Sequence, residues 1–355
     1  MTARSFLILV AVTLAAVAWA AVTVTQRDRA DIVVGSGERM FPGLIKVVED
    51  LQTIVVSGGG TATIRRRGTE WTVDERDGYP ADPDKVRALV LGMADLEMVE
   101  AKTDQPALYA RIGVESVGDP KAGGGSPENR SREVTLIDDD GEVIARLIVG
   151  DVAAGLGGET GRYVRPSGSA RSWLVRGDID PKSDPRTWLA PTIADVPAAL
   201  VQRIVVRHPD GETITAYRDS PEDAAFRVAE LPRNARLRRP ETVDGLAQVL
   251  EGLVLDDVRP IDHIPFPSSG TISVTVTTFD GMVVTLDITE EDGEPWARLL
   301  AGTAATEDAD AKNALDAVRS FNARTSGWAY RVTERTARLL QRRLDALIAD
   351  NPPGM

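Results

Sequence analysis

Gln52-Thr53-Ile54-Val55-Val56 returns 150 positions later as Gln202-Arg203-Ile204-Val205-Val206, and that return governs the reading of the whole chain. Both stretches are short and rich in β-branched residues, which suit a pleated, half-buried strand better than a helix. Further matches follow in the same order. Ile64 falls on Ile214 at the same offset, while Pro83, Val86, Leu89 and Leu96 fall on Pro240, Val243, Leu246 and Leu253 at an offset of 157. Trp173 falls on Trp328, and Ile193-Ala194-Asp195-x-Pro197 on Ile348-Ala349-Asp350-x-Pro352, both at 155. A period this long is not that of a solenoid but of a duplicated domain. The expected organisation is an N-terminal segment over residues 1–30, a first unit over 43–197 and a second over 201–352.

Each unit reads the same way. It opens on short strands, Thr53–Val56, Thr61–Arg65 and Glu70–Val73 in the first, with the Gly58-Gly59-Gly60 turn between two of them. A helix follows from about Asp84 to Glu100, its Val86, Leu89, Val90, Met93 and Leu96 recurring at spacings of three and four. The second unit repeats that face with Val243, Leu246, Val249, Leu250 and Leu253. A hairpin comes next, turning on Asp140-Gly141 in one unit and Asp280-Gly281 in the other, because glycine accepts the positive φ of a tight turn. Tyr163-Val164-Arg165 and Trp173-Leu174-Val175 read as later strands, echoed by Trp296-Ala297-Arg298 and Trp328-Ala329-Tyr330. A helix capped by Thr333 is expected over Glu334–Ala349, with only about a turn surviving in the first unit because of Asp184-Pro185. Gly118–Arg132 and Ala301–Asn313 read as loops. The fold class expected is α+β, two tandem units with mostly antiparallel sheets covered by helices.

The N-terminus carries a different signal. Phe6–Val24 holds no charged residue, Arg4 precedes it, and Arg27 and Arg29 follow. At about 1.5 Å per residue such a run nearly matches the hydrocarbon thickness of a bilayer. It is therefore expected to be a transmembrane signal anchor, residues 6–24, holding a single-pass protein in the inner membrane with its bulk on the periplasmic side. Ala18-Trp19-Ala20 offers an alternative as a signal-peptide cleavage site.

Composition narrows the chemistry. The net charge of −13 disfavours nucleic acid, whose binding rests on neutralising phosphates. With no cysteine, thiol catalysis and thiolate metal sites are excluded. His208 and His263 stand alone in turn contexts without further metal ligands near them in sequence. Gly155-Leu156-Gly157-Gly158-Glu159-Thr160-Gly161 leads into a strand rather than a helix, so a hairpin is expected there and not a phosphate loop. Asp138–Glu142, Asp308–Asn313 and Asp178-x-Asp180-x-x-x-Asp184 lack the pattern of a calcium loop and read as solvated turns. Arg65-Arg66-Arg67 and the stretch from Arg233 to Arg239 are basic islands in an acidic chain, either a plain charged surface or a docking face for an acidic partner. No catalytic, cofactor-binding or metal-ligating residue is assigned, and no cofactor is expected.

The order of motifs resembles the bacterial family called domain of unknown function 4340. The resemblance runs through Trp71-Thr72-Val73, Ala81-Asp82 before Val86, Ile112-Gly113-Val114, Val134-x-Leu136, Asp140-Gly141, Leu147-x-Val149-Gly150, Gly161-Arg162-Tyr163-Val164, Trp173-Leu174-Val175 and Gly327-Trp328-Ala329-Tyr330. It implies one N-terminal membrane segment and the company of ABC transporters or gliding-motility-type auxiliary proteins. A non-enzymatic accessory subunit of an ABC-type transport system is thus the function expected, a permease or such an auxiliary protein its partner. The alternative is a periplasmic binding module for an envelope polymer or small ligand.

Overall fold

The computed structural model describes residues 37–118, 131–156, 159–223, 225–304 and 309–349. The chain divides into two compact units, one ending at Ala190 and the other starting at Pro191.

In the first unit β1 (Leu51–Ser57), β2 (Thr61–Arg67), β3 (Glu70–Val73) and β4 (Tyr79–Pro80) form a meander that runs outward from β1. Helix α1 (Pro83–Asp95) then carries the chain to the opposite edge, where β5 (Glu97–Ala101) lies. Asp82 caps α1 by accepting from the Asp84 N–H, and Pro83 takes the first helical position, where no N–H is needed. Val86, Leu89, Val90 and Met93 form its buried stripe. The chain returns to the middle as β6 (Arg132–Asp138), beside β1, and a second meander of β7 (Val143–Leu156), β8 (Glu159–Pro166) and β9 (Trp173–Arg176) runs out to meet β5. The result is a nine-stranded sheet in the order β4-β3-β2-β1-β6-β7-β8-β9-β5, every pair antiparallel.

The second unit contains β10 (Thr192–Ala194), β11 (Val201–Arg207), β12 (Thr213–Tyr217), β13 (Arg227–Val228), α2 (Pro240–Ala247), β14 (Leu253–Pro260), β15 (Ile272–Thr278), β16 (Met282–Glu291), β17 (Glu294–Thr303), α3 (Ala309–Thr325), β18 (Trp328–Val332), α4 (Glu334–Leu340) and α5 (Leu344–Leu347). Its sheet, read from β13, runs β13-β12-β11-β15-β16-β17-β18-β14-β10. Strand for strand this is the first sheet without β4 and with β10 added beyond β14. In the first unit the place of β10 is taken by an isolated bridge between Arg39 and Glu97.

The registers agree in detail. β1 pairs with β6 through Ile54 and Leu136, with an irregularity between Leu51 and Thr53; β11 pairs with β15 through Ile204 and Val276, with the same irregularity between Val201 and Arg203. β5 against β9 and β14 against β18 share another, between Met98 and Glu100 and between Leu255 and Asp257. These registers also revise three of the fixed-offset matches. Ile54 faces Ile64 whereas Ile204 faces Ala216, so the counterpart of Ile64 is Ala216; the turn is two residues longer in the second unit, closing between Arg207 and Thr213 rather than Ser57 and Thr61. Val164 faces Trp173 and Ala297 faces Tyr330, which makes Tyr330 the counterpart of Trp173 and leaves Trp328 two residues upstream on the same strand. Leu189 bridges Ala81 as Ile348 bridges Leu237, so Ile348 corresponds to Leu189 and not to Ile193, which lies in β10.

The α+β expectation is corrected to two mostly-β units. The expected helices are shorter than predicted because strands and bridges take their ends. Leu96 ends α1, and Glu97–Ala101 pairs as β5. The C-terminal helix breaks after Leu340, with Leu344–Leu347 a separate turn and Ile348 in a bridge. Conversely Ala309–Asn313, expected in a loop, opens α3. The transmembrane helix and the single-pass inner-membrane location are corrected too. No helix among the described residues is long and apolar enough to cross a membrane. The longest, α3, has 17 residues and carries Asp316, Arg319 and Arg324. Phe6–Val24 lies outside the described residues.

One pair of glycines tests how the helices pack. A Cβ on Gly92 of α1 would stand 2.7 Å from the Asp178 carbonyl oxygen, whereas one on Gly245 of α2 meets nothing nearer than Leu339 Cδ1 at 3.8 Å. Gly92→Ala should therefore cost about 1–3 kcal/mol through overpacking. Gly245→Ala should gain about 0.5–1 kcal/mol from helix propensity. Equilibrium urea unfolding should show shifts of opposite sign.

Candidate functional site: an arginine-lined cleft

The crossing helices meet different neighbours in the two units, and that difference leaves a large cleft in the second. In the first unit α1 is 13 residues long, and the segment after β9 lies close against it, with Asp178 and Ile179 beside Gly92. The hollow left there is about 230 Å³, lined by residues that include Lys85, Ala88, Ile179 and Trp188. Lys85 is occupied: its Nζ donates to the Thr187 carbonyl at 2.8 Å and stands 3.7 Å from Asp82.

In the second unit α2 has eight residues, and the chain turns away through Gly252, whose φ of +58° favours glycine. The position of Gly92 is held by Val249, which is buried. Opposite α2 stands α4, capped by Thr333 accepting from the Thr336 N–H at 3.2 Å. Between them lies a cleft of about 970 Å³. Its charged lining residues are Arg239, Arg335, Arg338 and Arg342 against Glu241 and Glu251, so the cleft is locally cationic in a chain of net charge −13. Arg335 and Arg338 share one face of α4 at a spacing of three, Arg342 lies just past its end, and all three are exposed. Among the described residues none of the four arginines pairs with a carboxylate. Arg342 donates instead to Thr242 Oγ1 at 3.2 Å and Arg338 to the Glu334 carbonyl at 3.2 Å. The apolar part of the lining is Val249, Leu253, Val254 and Leu339.

The far end of α4 is pinned by charge. Arg343 Nη1 stands 2.8 Å from Asp210 and 3.2 Å from Glu212, while Glu212 Oε1 accepts from the Leu344 N–H. The Arg343 hydrogen bond holds the Asp210 carboxyl below its ordinary range and raises the Arg343 guanidinium in turn. His208 belongs to the same support. It is buried, and its Nε2 lies 3.1 Å from the Arg342 carbonyl oxygen.

The remaining sequence candidates separate from one another. His263 is exposed in a short turn. β7 extends to Leu156 and β8 opens at Glu159, so the glycine-rich run is a hairpin; Gly157 and Gly158 lie outside the described residues. Asp138 accepts from the Glu142 N–H at 2.7 Å on the β6–β7 turn, and Gly141 has a φ of +83°. Asp308 lies outside the described residues. Asp180 is shared by Lys182 at 2.6 Å and Arg162 at 3.8 Å, while Asp184 caps a short 3-10 turn and binds Arg186. Among the described residues no three acidic or histidine side chains converge on a metal position. The Arg65-Arg66-Arg67 island is neutralised locally: Arg65 and Arg67 share Asp74 at 2.9 and 3.3 Å, and Arg66 donates to the Glu49 carbonyl. Of the Arg233–Arg239 stretch, only Arg239 reaches the cleft.

Sequence reading missed Arg335, Arg338 and Arg342 as partners of Arg239. They lie about a hundred positions away, and only the helix-to-helix contact joins them; the recurrence of arginine along and just after a short amphipathic helix was the available signal.

The family model described as Domain of unknown function (DUF4340) matches residues 71–267, more than half of the 355-residue chain. The chain belongs to this family. The match starts in β3 of the first unit and ends beyond β14 of the second, so it spans both crossing helices and one wall of the cleft. No curated protein and no solved structure matches the chain.

Asp184 supplies a test of this electrostatic reading. Hydrogen bonds from the Arg186 side chain hold its carboxyl below the ordinary aspartate range. A folded value below the unfolded one stabilises above the usual aspartate pKa, about 3.9, and the contribution is lost as pH falls through the folded value. Because the pair is partly exposed, Asp184→Asn should cost about 1 kcal/mol or less at neutral pH. The variant and the parent should converge in urea midpoint as pH falls through the folded-state value and the carboxyl becomes protonated in both states.

Proposed function

We propose that the protein is a non-enzymatic binding subunit that captures an anionic partner in the α2–α4 cleft, acting as an accessory to an ABC-type transport system. The observation that carries the binding reading is the set of four arginines, none paired with a carboxylate among the described residues, along one concave surface of an acidic chain. Guanidinium groups stay charged across the accessible pH range and present fixed forks to oxyanions, which suits recognition more than proton transfer. The carboxylates with resolved shifts, Asp184, Asp210, Glu222 and Asp223, are all shifted downward by hydrogen bonds to arginine, serine or backbone N–H groups. Such groups remain ionised near neutrality, unlike a general acid. The accessory role rests on the family resemblance alone. A second reading, a module for an envelope polymer or small ligand, draws on the same cleft, whose volume falls at the upper end of small-ligand sites, about 300–1,000 Å³.

The test is calorimetric titration of the full-length chain with poly-glutamate, tripolyphosphate and a sulfated polysaccharide at low ionic strength. At least one should bind. The double variant Arg335→Glu/Arg338→Glu should weaken it about tenfold or more, given about 0.2–1 kcal/mol for each exposed pair and the added repulsion of reversal. Arg233→Glu, outside the cleft, should leave it unchanged. Absence of binding, or equal loss in both variants, would overturn the binding reading.

A further inference from the structure

We infer that the occupant of the cleft is an acidic peptide strand in which carboxylate residues alternate with apolar ones, an inference that rests on the binding reading above. Three features of the lining select this class among anions. The first is spacing. Arg335 and Arg338 stand one turn apart on α4, where such neighbours are about 5–6 Å apart, and Arg342 follows just past the end of the helix. An extended peptide presents alternate side chains on one side about 6.6–6.8 Å apart, a mismatch that flexible arginine stems absorb. Carboxylates at every second residue can therefore each meet one guanidinium.

The second feature is the apolar strip. Val254 is 41% exposed beside Leu253 on the β14 wall, and half-buried Leu339 follows Arg338 on α4. Gly245 and Gly252 add no side chain, which leaves the backbone open to close approach. Apolar residues of an alternating strand have a surface to cover there; a polyphosphate has none. The third feature is the pair of carboxylates, Glu241 and Glu251, in the same lining. They repel a densely charged polyanion and tolerate one whose charges are spaced, which is discrimination by unfavourable contacts. The lining holds four arginines and no lysine, and the guanidinium fork matches the two oxygens of a carboxylate.

The experiment uses the full-length chain and fluorescein-labelled synthetic peptides of equal length, followed by fluorescence anisotropy. The probes are an alternating glutamate–valine peptide, poly-glutamate and an alternating lysine–valine peptide, with unlabelled tripolyphosphate as competitor. The glutamate–valine peptide should bind about tenfold tighter than poly-glutamate, through the burial of a few apolar side chains. Its binding should fall with added salt, because exposed charges are screened. Arg335→Glu/Arg338→Glu should weaken it about tenfold. Val254→Ser should weaken it about threefold while leaving poly-glutamate unchanged, since only the apolar contact is lost. If poly-glutamate binds as tightly, or tripolyphosphate displaces the peptide at lower concentration, the peptide assignment falls and the anion-binding cleft stands. Equal binding of the lysine–valine peptide also overturns the assignment. If no anionic probe binds, the binding reading itself has failed.

Discussion

The pairing of β1 with β6, and of β11 with β15, is the constraint on which each unit depends. Without it the unit would be two separate meanders, one on either side of a crossing helix. Leu51–Ser57 and Arg132–Asp138 are far apart in sequence, so joining them closes a long loop at an entropic cost recovered only by the contacts that follow. Those contacts are extensive: Ile54, Val56, Val134 and Leu136 are all fully buried along the seam. The same seam obliges the chain to reach the far edge as β5 before coming back, and only a crossing helix such as α1 can carry it there. The helix whose neighbours define the cleft is therefore a necessity of the topology.

A second shared device holds the return segments. Arg165 lies over the Tyr109 ring at 4.5 Å in the first unit, and Arg298 over Phe266 at 4.7 Å in the second. Arg165 and Arg298 occupy equivalent positions on β8 and β17, each pairing beyond a shared register. Their other partners have diverged. Arg165 is buried and donates to the Val114 and Ser169 carbonyls and to Ser116 Oγ, with burial lowering its pKa. Arg298, more exposed, pairs with Asp287 at 2.9 Å, where the first unit has Ile148. One cation–aromatic contact thus survives while its surroundings exchange carbonyl oxygens for a carboxylate.

How much was legible follows from which forces act locally. The Gln52–Val56 and Gln202–Val206 strands, the Asp140-Gly141 and Asp280-Gly281 turns and the onset of α1 declare themselves through β-branching, turn chemistry and capping, all properties of a few adjacent residues. The end of α1 did not, because Met98 serves a strand whose pairing partner, Val175, lies far along the chain. Ala309–Asn313 looked like an acidic loop, yet α3 forms there and buries Ala314 and Phe321, a tertiary gain that its polar surface conceals. Arg239 lies in a stretch whose charge is visible in sequence. The three arginines facing it lie on or just past a helix whose approach is set by the sheet order, and no local pattern encodes that.

The unequal turns between the first two strands of each unit bear on how duplicated sheets drift apart. A strand has a two-residue frame, since neighbouring side chains point to opposite faces. The turn after β11 differs from that after β1 by two residues, and Ile214 accordingly stays on the same face as its true counterpart, Ala62. Between β6 and β7 the difference is one residue, and the first unit absorbs it as an irregularity between Leu136 and Ile137 that β15 and β16 do not have. Insertions during divergence of such a sheet are thus accepted in even steps, or in odd steps accompanied by a bulge. Two copies can then slide past any constant alignment offset while every core residue keeps its orientation.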